Sequence, residues 1–242
     1  MRKAIAAFML LLTPVLAHGA PAGGGFDKAN IDLSDTASLQ RGARIFMNFC
    51  LSCHSASYMR YQRMAEDLSI DPAIVERDMM FATDKIGDLM TTTMPADDAQ
   101  RWFGVAPPDL SLVARSRGED YLYTYMRSFY LDESTPSGWN NTVFPNVAMP
   151  HAMYEWQGVQ KAVFVTNERG NRQFEHFELV EPGARSPEEY DMAIRDLTNF
   201  MVYLAEPAKL ERYTIGFWVI VFLLIMVGLT YALKKEFWRD VH

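Results

Sequence analysis

The chain has 242 residues and is acidic, with 23 Lys and Arg against 30 Asp and Glu and a formal net charge of −7. A chain of this charge is not expected to bind nucleic acid, whose phosphates repel it. The apolar fraction of 49% allows one or two domains with a real core, although part of it lies in two segments that are not globular.

Residues 1–17 are predicted to be a secretory signal peptide. Two basic residues precede an apolar run over residues 4–16, and Ala17 is a small residue suited to the cleavage site, with Ala20 as the alternative. A retained signal anchor is the alternative, but the run is too short to span a bilayer comfortably. We therefore expect the mature chain to be exported from a bacterial cytoplasm.

The next predicted helix ends in the motif that dominates the sequence. Asp35 or Thr36 is suited to cap its start, and Cys50, Cys53 and His54 form a C-x-x-C-H run at its end. Positions i, i+3 and i+4 share one face of a helical turn, so the two thiols and the imidazole are expected to face one flat macrocycle. The thiols are suited to form thioethers with the haem vinyl groups and the imidazole to bind the iron. The run thus predicts one covalently attached haem c.

Other uses of a C-x-x-C pair compete with haem attachment. The pair could act as a dithiol redox switch, and a disulfide within it would close a loop too small to stabilise much. Half of a zinc site is a third possibility, but zinc would need two further ligands. The chain has no other cysteine, and its remaining imidazoles are His18, His151, His176 and His242.

The sequence after the motif is predicted to continue with helical periodicity. The residues that carry the period are Tyr58, Tyr61, Met64 and Leu68. Core packing explains these four as well as a place along the haem edge does. The stretch over residues 71–100 mixes charges with methionines and is predicted to form short helices and loops.

Pro107 and Pro108 then force an extended turn, because neither can enter a helix interior. The carbonyls of such a segment are free to accept hydrogen bonds. A ligand imidazole usually donates its second N–H to a carbonyl, and Pro108 belongs to a segment able to supply one. Asp109 or Ser111 is predicted to cap the following helix, which reaches Arg117.

A second iron ligand is expected from a methionine. A helix predicted to start at Gly118 leads into a Pro-, Gly- and Asn-rich loop over residues 132–154, and ligands tend to lie in loops held by a rigid scaffold. Met149 lies in this polar loop, while Met94 also precedes a proline. His151 is the imidazole alternative and would lower the reduction potential, whereas a thioether raises it.

Two further elements are predicted towards the C-terminus. Residues 162–180 alternate well enough to predict a hairpin around residues 167–170. Ser186, Pro187 and Glu189 mark a helix start, with Ser at the N-cap, Pro at N1 and Glu at N3. We expect that helix to pack against the haem-bearing helix through its apolar stripe, which consists of Ile194, Leu197, Met201 and Leu204.

Residues 213–233 are predicted to form a transmembrane helix. This uncharged run of 21 residues would be about 31 Å long as a helix, enough to cross the hydrocarbon core. Lys234 and Lys235 follow it and favour a cytoplasmic tail over residues 234–242. A haem domain over residues 18–212 would then lie in the periplasm. The fold class expected is mainly α: a c-type cytochrome haem domain with small loop and hairpin insertions, plus one C-terminal transmembrane helix.

Motifs in a fixed order give the chain a resemblance to a known family. They are Arg41-Gly42, Cys50-x-x-Cys53-His54, Pro107-Pro108-Asp109-Leu110-Ser111, Arg117-Gly118-Glu119-Asp120-Tyr121, Phe144-Pro145 with Ala148-Met149, and Ala205-Glu206-Pro207 before the span. Together they resemble the cytochrome c1 family throughout the mature chain, in a version that looks bacterial. The region over residues 71–101 departs from the family's mitochondrial members.

The resemblance implies an electron-carrying subunit of quinol–cytochrome c reductase in the bacterial inner membrane. It implies cytochrome b, the Rieske iron–sulfur protein, a soluble cytochrome c and membrane lipid as partners. Met149 then corresponds to the distal iron ligand, and Arg117 and Tyr121 to haem-propionate contacts. A membrane-anchored monohaem cytochrome of a haem-copper oxidase or dehydrogenase is the alternative, but we expect no Pro-Pro-Asp-Leu-Ser element there. A haem peroxidase would usually need a second haem motif.

Overall fold

The structure is a computed structural model that describes residues 25–167 and 170–240, so the predicted signal peptide lies outside the described residues. The described helices are α1 (Thr36–Phe49), α2 (Tyr61–Asp67), α3 (Pro72–Asp78), α4 (Ala96–Phe103), α5 (Val113–Arg117), α6 (Glu119–Arg127), α7 (Tyr154–Gln157), α8 (Pro187–Ala205) and α9 (Lys209–Phe237). The described strands form three separate antiparallel pairs: β1 (Ala56–Arg60) with β2 (Leu89–Met90), β3 (Phe129–Leu131) with β4 (Trp139–Asn141), and β5 (Gly158–Thr166) with β6 (Arg172–Pro182). This content agrees with the expected mainly α class.

Helices α1 and α8 cross closely at the centre of the core. Gly42 in α1 makes the approach possible, because a Cβ at this position would clash with the backbone oxygen of Asp196 and lie 2.7 Å from Cβ of Phe200. Beside the crossing, the fully buried rings of Phe46 and Phe200 pack with their centroids 5.5 Å apart. The expectation that this C-terminal helix packs against the haem-bearing helix is therefore confirmed.

A polar network centred on Asp196 fixes how the two helices meet. Arg41 donates from Nε and Nη2 to both carboxylate oxygens of Asp196, at 2.6 and 2.9 Å. Ser38 Oγ donates to the same carboxylate at 2.7 Å, and Asn199 Nδ2 donates to Ser38 Oγ at 3.0 Å. A carboxylate as buried as Asp196 is stable only when it is paired and hydrogen-bonded. The network therefore favours one register of α1 on α8.

Both central helices begin at the caps that the sequence predicts. The Asp35 carboxylate accepts the N–H of Ser38 at 3.0 Å at the start of α1. At the start of α8, Ser186 Oγ accepts the N–H of Glu189, and the Glu189 carboxylate accepts the N–H of Ser186. These are the two halves of a capping box, which satisfies donors that the first turn leaves free.

The segment directly after the haem motif differs from its prediction. Tyr58 was expected within a helical period, but it lies in strand β1, and α2 begins only at Tyr61. The strand pairs with β2, and the Tyr58 N–H donates to Ser111 Oγ at 3.1 Å. Pairing with residues far along the chain thus outweighs the local pattern, as is common for short segments.

The predicted caps of helix α5 are also wrong. The helix starts at Val113 with Leu112 at its N-cap, and no side chain caps it. The Asp109 carboxylate instead accepts the N–H groups of Ser111 and Ser57, at 2.8 and 2.9 Å. The Asp109 carboxylate therefore joins the segment at residues 108–111 to strand β1 and does not cap a helix.

The two paired strands of the hairpin predicted over residues 162–180 are confirmed and are longer than expected, while residues 168 and 169 of its predicted turn lie outside the described residues. Strands β5 and β6 pair from Gly158 to Thr166, with irregularities of register near Val159 and Val163. Gln160 Nε2 donates to the backbone oxygen of Phe129 at 2.7 Å, which attaches the hairpin to strand β3.

Helix α9 contains the apolar run predicted over residues 213–233. It has 29 residues, a mean hydropathy of 2.4 in its apolar window, and no buried residue in that window. Its length and composition are sufficient to cross a membrane. The exposed apolar side chains distinguish it from a core helix, whose apolar face would be covered by protein.

We predict that Gly42→Ala destabilises the fold by about 1–3 kcal/mol or more, because the added methyl group forces the α1 and α8 backbones apart. Gly87→Ala is the matched control, since a Cβ at this position has nothing within 4 Å. Denaturant unfolding of both variants, followed by circular dichroism, measures the difference. Equal stability of the two variants would contradict the close crossing.

Candidate haem site

The C-x-x-C-H run forms a tight turn at the end of α1. Cys50 is the C-cap residue of the helix, and its backbone oxygen accepts the N–H groups of Cys53 and His54 at 3.1 and 2.8 Å. Cys50 is buried, Cys53 is half-buried, and both thiols are free. The turn therefore brings two thiols and one imidazole together, as the spacing predicts.

The buried thiol of Cys50 is not suited to be the reactive thiol of a dithiol switch. Burial, with a smaller contribution from Cys53, raises the pKa of the Cys50 thiol to about 12. A redox-active thiol needs a lowered pKa, because the thiolate is the reactive form. Residues 25–167 and 170–240 also contain no group of three or more His, Cys, Asp or Glu side chains that could hold a metal ion by themselves. The zinc interpretation therefore has no ligand set in this part of the chain.

A second segment, residues 108–111, lies directly alongside the turn. The backbone N–H of Leu110 donates to the backbone oxygen of Ser55 at 2.8 Å, while Asp109 and Ser111 accept the N–H groups of Ser57 and Tyr58. Burial acts to raise the pKa of Asp109, but hydrogen bonds from Ser111 and Ser57 outweigh it and leave that pKa below its usual value. A carboxylate is thus kept ionised where it joins the two segments.

His54 is oriented by this segment. Its Nδ1 lies 2.7 Å from the backbone oxygen of Pro108, a distance at which the ring donates its N–H to that carbonyl. The donation fixes the tautomer and leaves Nε2 without a hydrogen-bond partner among the described residues. Burial lowers the pKa of His54, against opposing contributions from Pro108 and Asp109, so the imidazole is neutral at neutral pH. The carbonyl that the sequence suggested for the Pro-Pro segment is present.

Arg117 and Tyr121 lie together where helices α5 and α6 meet. The guanidinium carbon of Arg117 is 5.6 Å from the ring centroid of Tyr121. Gly118 separates the two helices with φ of 91°, a conformation that residues with a side chain rarely adopt. Burial raises the pKa of Tyr121, and the Arg117 charge opposes this in part, so the phenol keeps its proton at neutral pH. The pair therefore presents one cation and one hydroxyl donor.

Met149 lies next to helix α6. The hydroxyl of Tyr125, one turn after Tyr121, is 3.5 Å from Met149 Sδ, and the two tyrosine rings stack with centroids 5.9 Å apart. Asn141 holds the loop that carries Met149, because its Nδ2 donates to the backbone oxygen of Tyr125 at 2.8 Å. Arg117, Tyr121, Tyr125 and Met149 thus form a continuous series of contacts.

His151 has a different environment from Met149. Its ring is 2% exposed, stacks face to face on Phe129 at 4.9 Å, and meets the edge of Trp139 at 5.1 Å. Among the described residues, neither ring nitrogen has a partner at hydrogen-bonding distance, and burial, opposed in part by Gln157, lowers the pKa of His151 to about 4. The neutral ring therefore packs as part of an aromatic cluster.

The other two candidate methionines are held by different parts of the fold. Met94 follows Thr92, whose hydroxyl donates to the backbone oxygen of Ser52 and whose N–H donates to Ser55 Oγ. Met94 therefore lies on a segment attached to the C-x-x-C-H turn. Met153 is fully buried in the core. Met149 is the one of the three that contacts a hydroxyl of helix α6.

Sequence reasoning missed residues that shape this site. No local pattern assigns a role to Asn141 or Tyr125, and the pattern around Asp109 predicts a helix cap. Asp120 was also missed: its carboxylate accepts the N–H of Ala29 and an N–H of Lys28, and so attaches the N-terminal segment to α6. The one signal available was the four-residue spacing from Tyr121 to Tyr125, which places both rings on one helix face.

The donor set fits a haem c. Two thiols suit thioether attachment, the free Nε2 of His54 suits the proximal position, and the sulfur of Met149 suits the distal one. Cys50 belongs to the buried apolar cluster, and Tyr121 and Tyr125 pack against it. The C-x-x-C-H turn and helix α6 therefore share one core.

Comparison with known proteins points in one direction. The model of the cytochrome C1 family matches residues 27–241. A cytochrome c1 of Allochromatium vinosum is 50% identical over the whole of both chains, and a protein of Nitrosomonas europaea called ammonia monooxygenase gamma subunit is 47% identical over 96% of each. A cytochrome b/c1 of Bradyrhizobium diazoefficiens is 27% identical over 86% of this chain and 34% of its own length.

The family match spans nearly all of the described structure, including the C-x-x-C-H turn, the segment at residues 108–111 and helix α9. It sets aside the alternative of an oxidase or dehydrogenase cytochrome. The fold, the donor set and the matches agree that the chain belongs to the cytochrome c1 family, the membrane-anchored, electron-carrying subunits of the cytochrome bc1 complex that bear one covalently bound haem c.

Proposed function

We propose that the C-x-x-C-H turn and Met149 together hold the haem c through which this subunit relays single electrons. The observation that carries the proposal is the hydrogen bond from His54 Nδ1 to Pro108 O, because it holds a neutral imidazole with Nε2 free. When bound, the haem supplies one-electron redox chemistry at its iron. The residues of the chain supply the attachment, the orientation of the ligands and the exclusion of water.

Met149 is the proposed distal ligand. Its sulfur contacts the helix that also carries Tyr121, and its loop is fixed to that helix by Asn141. Pro145 and Pro150 stiffen the same loop, so little freedom is lost when the sulfur is held in one position. A thioether ligand raises the potential, which suits an acceptor placed after a Rieske centre.

Arg117 and Tyr121 are the proposed contacts of a haem propionate. A buried carboxylate needs a cation or hydrogen-bond donors, and this pair offers both within one contact. Arg115 lies on the same short helix and is also exposed, but it has no ring contact. The geometry therefore favours Arg117.

We propose the Rieske iron–sulfur protein as electron donor, a soluble cytochrome c as acceptor and cytochrome b as the neighbouring subunit. Membership in the family supports the three assignments. The assignment of cytochrome b as the neighbouring subunit is also supported by the name of one relative, cytochrome b/c1, of whose length this chain covers 34%. Another relative is named ammonia monooxygenase gamma subunit, but no feature of this site favours that function for the chain.

We also propose a single-pass topology in the inner membrane of a bacterium. The proposed segments are a signal peptide at residues 1–17, a periplasmic haem domain at 18–212, a transmembrane helix at 213–233 and a cytoplasmic tail at 234–242. The exposed apolar surface of α9 supports the span and a place in lipid. The basic residues of the tail, Lys234, Lys235 and Arg239, support its cytoplasmic side.

Substitution of Met149 tests the distal ligand. Met149→His or Met149→Lys should keep haem covalently bound yet lower the reduction potential by about 0.1 V or more, within the range that axial ligands span. The measurements are a redox titration and the long-wavelength sulfur-to-iron band of the oxidised protein. Met94→Leu and Met153→Leu are the controls and should change neither. If His151→Ala changes the spin state of the iron while the Met149 variants keep the band and the potential of the parent protein, the iron is bound by two histidines instead.

Substitution of Arg117 tests the propionate contact. Arg117→Gln should lower the potential, because a cation near the haem stabilises the more negative, reduced state. We expect a shift of up to about 59 mV, which is a tenfold change for a one-electron couple. Arg115→Gln removes the same charge from the same helix and should shift the potential less. A larger shift for Arg115→Gln would give the role to that residue.

A truncation after Arg212 tests the anchor and the partners. The shortened chain should be exported, remain soluble and keep its haem spectrum, because it loses only the proposed span and the tail that follows it. In mild detergent, the full chain should purify with cytochrome b and a Rieske subunit, whereas the truncated chain should not remain with cytochrome b. Membrane binding of the truncated chain without partners would mean that another segment anchors it.

A further inference from the structure

The side chain of Tyr125 is held so that its hydroxyl points at the sulfur of Met149. The ring stacks on Tyr121 with an interplanar angle of 13°, and the edge of Phe129 meets it at 5.2 Å and 73°. The oxygen of the hydroxyl is 3.5 Å from Met149 Sδ, a hydrogen-bonding distance for the larger sulfur atom. Two ring contacts therefore restrict the phenol to one orientation.

The backbone around Tyr125 is fixed as well. Its carbonyl oxygen accepts from Asn141 Nδ2 at 2.8 Å, and the neighbouring carbonyl of Met126 accepts from the hydroxyl of Tyr190 in α8 at 2.9 Å. Asn141 begins the loop that carries Met149, so Tyr125 holds both the start of the loop and its sulfur. The hydroxyl is thus in position before any ligand binds.

We propose that Tyr125 raises the reduction potential of the haem by donating a hydrogen bond to the ligand sulfur of Met149. The inference rests on the ligand role proposed above for Met149. A thioether sulfur has two lone pairs, so it binds iron with one and accepts from the phenol with the other. Tyr125 acts through Met149 and is a positioning residue rather than a ligand.

The direction in which the hydrogen bond shifts the potential follows from the electron density on the sulfur. A hydrogen bond withdraws electron density from the sulfur and so weakens its donation to the iron. Ferric iron depends on that donation more than ferrous iron does, so the bond favours the reduced state and raises the potential. No proton is gained or lost in the step, because the phenol keeps its own.

A purely structural role for Tyr125 predicts a different result. If the ring only filled space, Tyr125→Phe would keep its contacts with Tyr121 and Phe129 and leave the potential unchanged. If the hydroxyl acted only as a nearby dipole that stabilises the ferric charge, its loss would raise the potential. A donated hydrogen bond predicts a fall.

The test uses the full chain with haem attached and compares Tyr125→Phe with the parent protein. The expected result is a lower potential, equivalent to about a two- to tenfold change in the ferric-to-ferrous ratio, as one hydrogen bond contributes. A tenfold change corresponds to 59 mV for a one-electron couple. The long-wavelength band of the oxidised protein should persist and shift, because Met149 still binds the iron while it donates more strongly.

Tyr123→Phe is the matched control on the same helix. Its ring faces Arg127 and Arg195, with guanidinium distances of 4.5 and 5.9 Å, and its hydroxyl has no contact with Met149 among the described residues. Its potential should equal that of the parent protein. An unchanged or raised potential in Tyr125→Phe, an equal shift in both variants, or loss of the band in Tyr125→Phe would overturn the proposal.

The same measurements separate this proposal from the ligand assignment. If the band is unaffected when Met149 itself is replaced, Met149 is not the ligand, and both proposals fail together. If the band disappears with Met149 but Tyr125→Phe leaves the potential unchanged, the ligand assignment stands and only the tuning role of Tyr125 fails.

Discussion

The hydrogen bond from His54 to the carbonyl of Pro108 is the constraint on which the proposed proximal side of the haem site depends. An imidazole that binds iron must be neutral, in one tautomer and in one orientation. The bond sets the tautomer and the orientation, while burial favours the neutral form. Pro108 suits this use because the fixed φ of proline stiffens the segment that presents its carbonyl. Asp109 adds to the rigidity by binding Ser57 and Ser111, so the carbonyl cannot move away from the ring.

The proposed distal side, at Met149, is built by different means. The proximal groups lie within five residues of sequence, whereas Met149 comes from a loop 95 positions after His54. Such a loop needs an external support, and helix α6 provides it through the carbonyl and the hydroxyl of Tyr125. The helix is in turn fixed to α8 by Tyr190. Since α8 also crosses α1 at Gly42, both sides of the site depend on one pair of packed helices.

This arrangement suits an electron carrier. No bond in a substrate has to be made or broken, so the chain needs few reactive groups and much rigidity around the metal ligands. The Asp196 network, the aromatic cluster around His151 and the close helix crossing all reduce the freedom of the core. Helix α9 has the length and composition to span a bilayer, which suits a membrane-anchored subunit of the cytochrome bc1 complex.

The sequence alone determined the chemistry and much of the architecture. The C-x-x-C-H spacing identified the haem, the Ser186 and Asp35 caps identified the two central helices, and the apolar run identified α9, because each signal lies within one continuous stretch of sequence. The tertiary structure decided what depends on distant partners. Tyr58 lies in a strand, Asp109 joins two segments and Tyr125 reaches Met149, each through contacts with residues far along the chain. Local patterns carry no information on such contacts, because they form only when the core brings separate segments together.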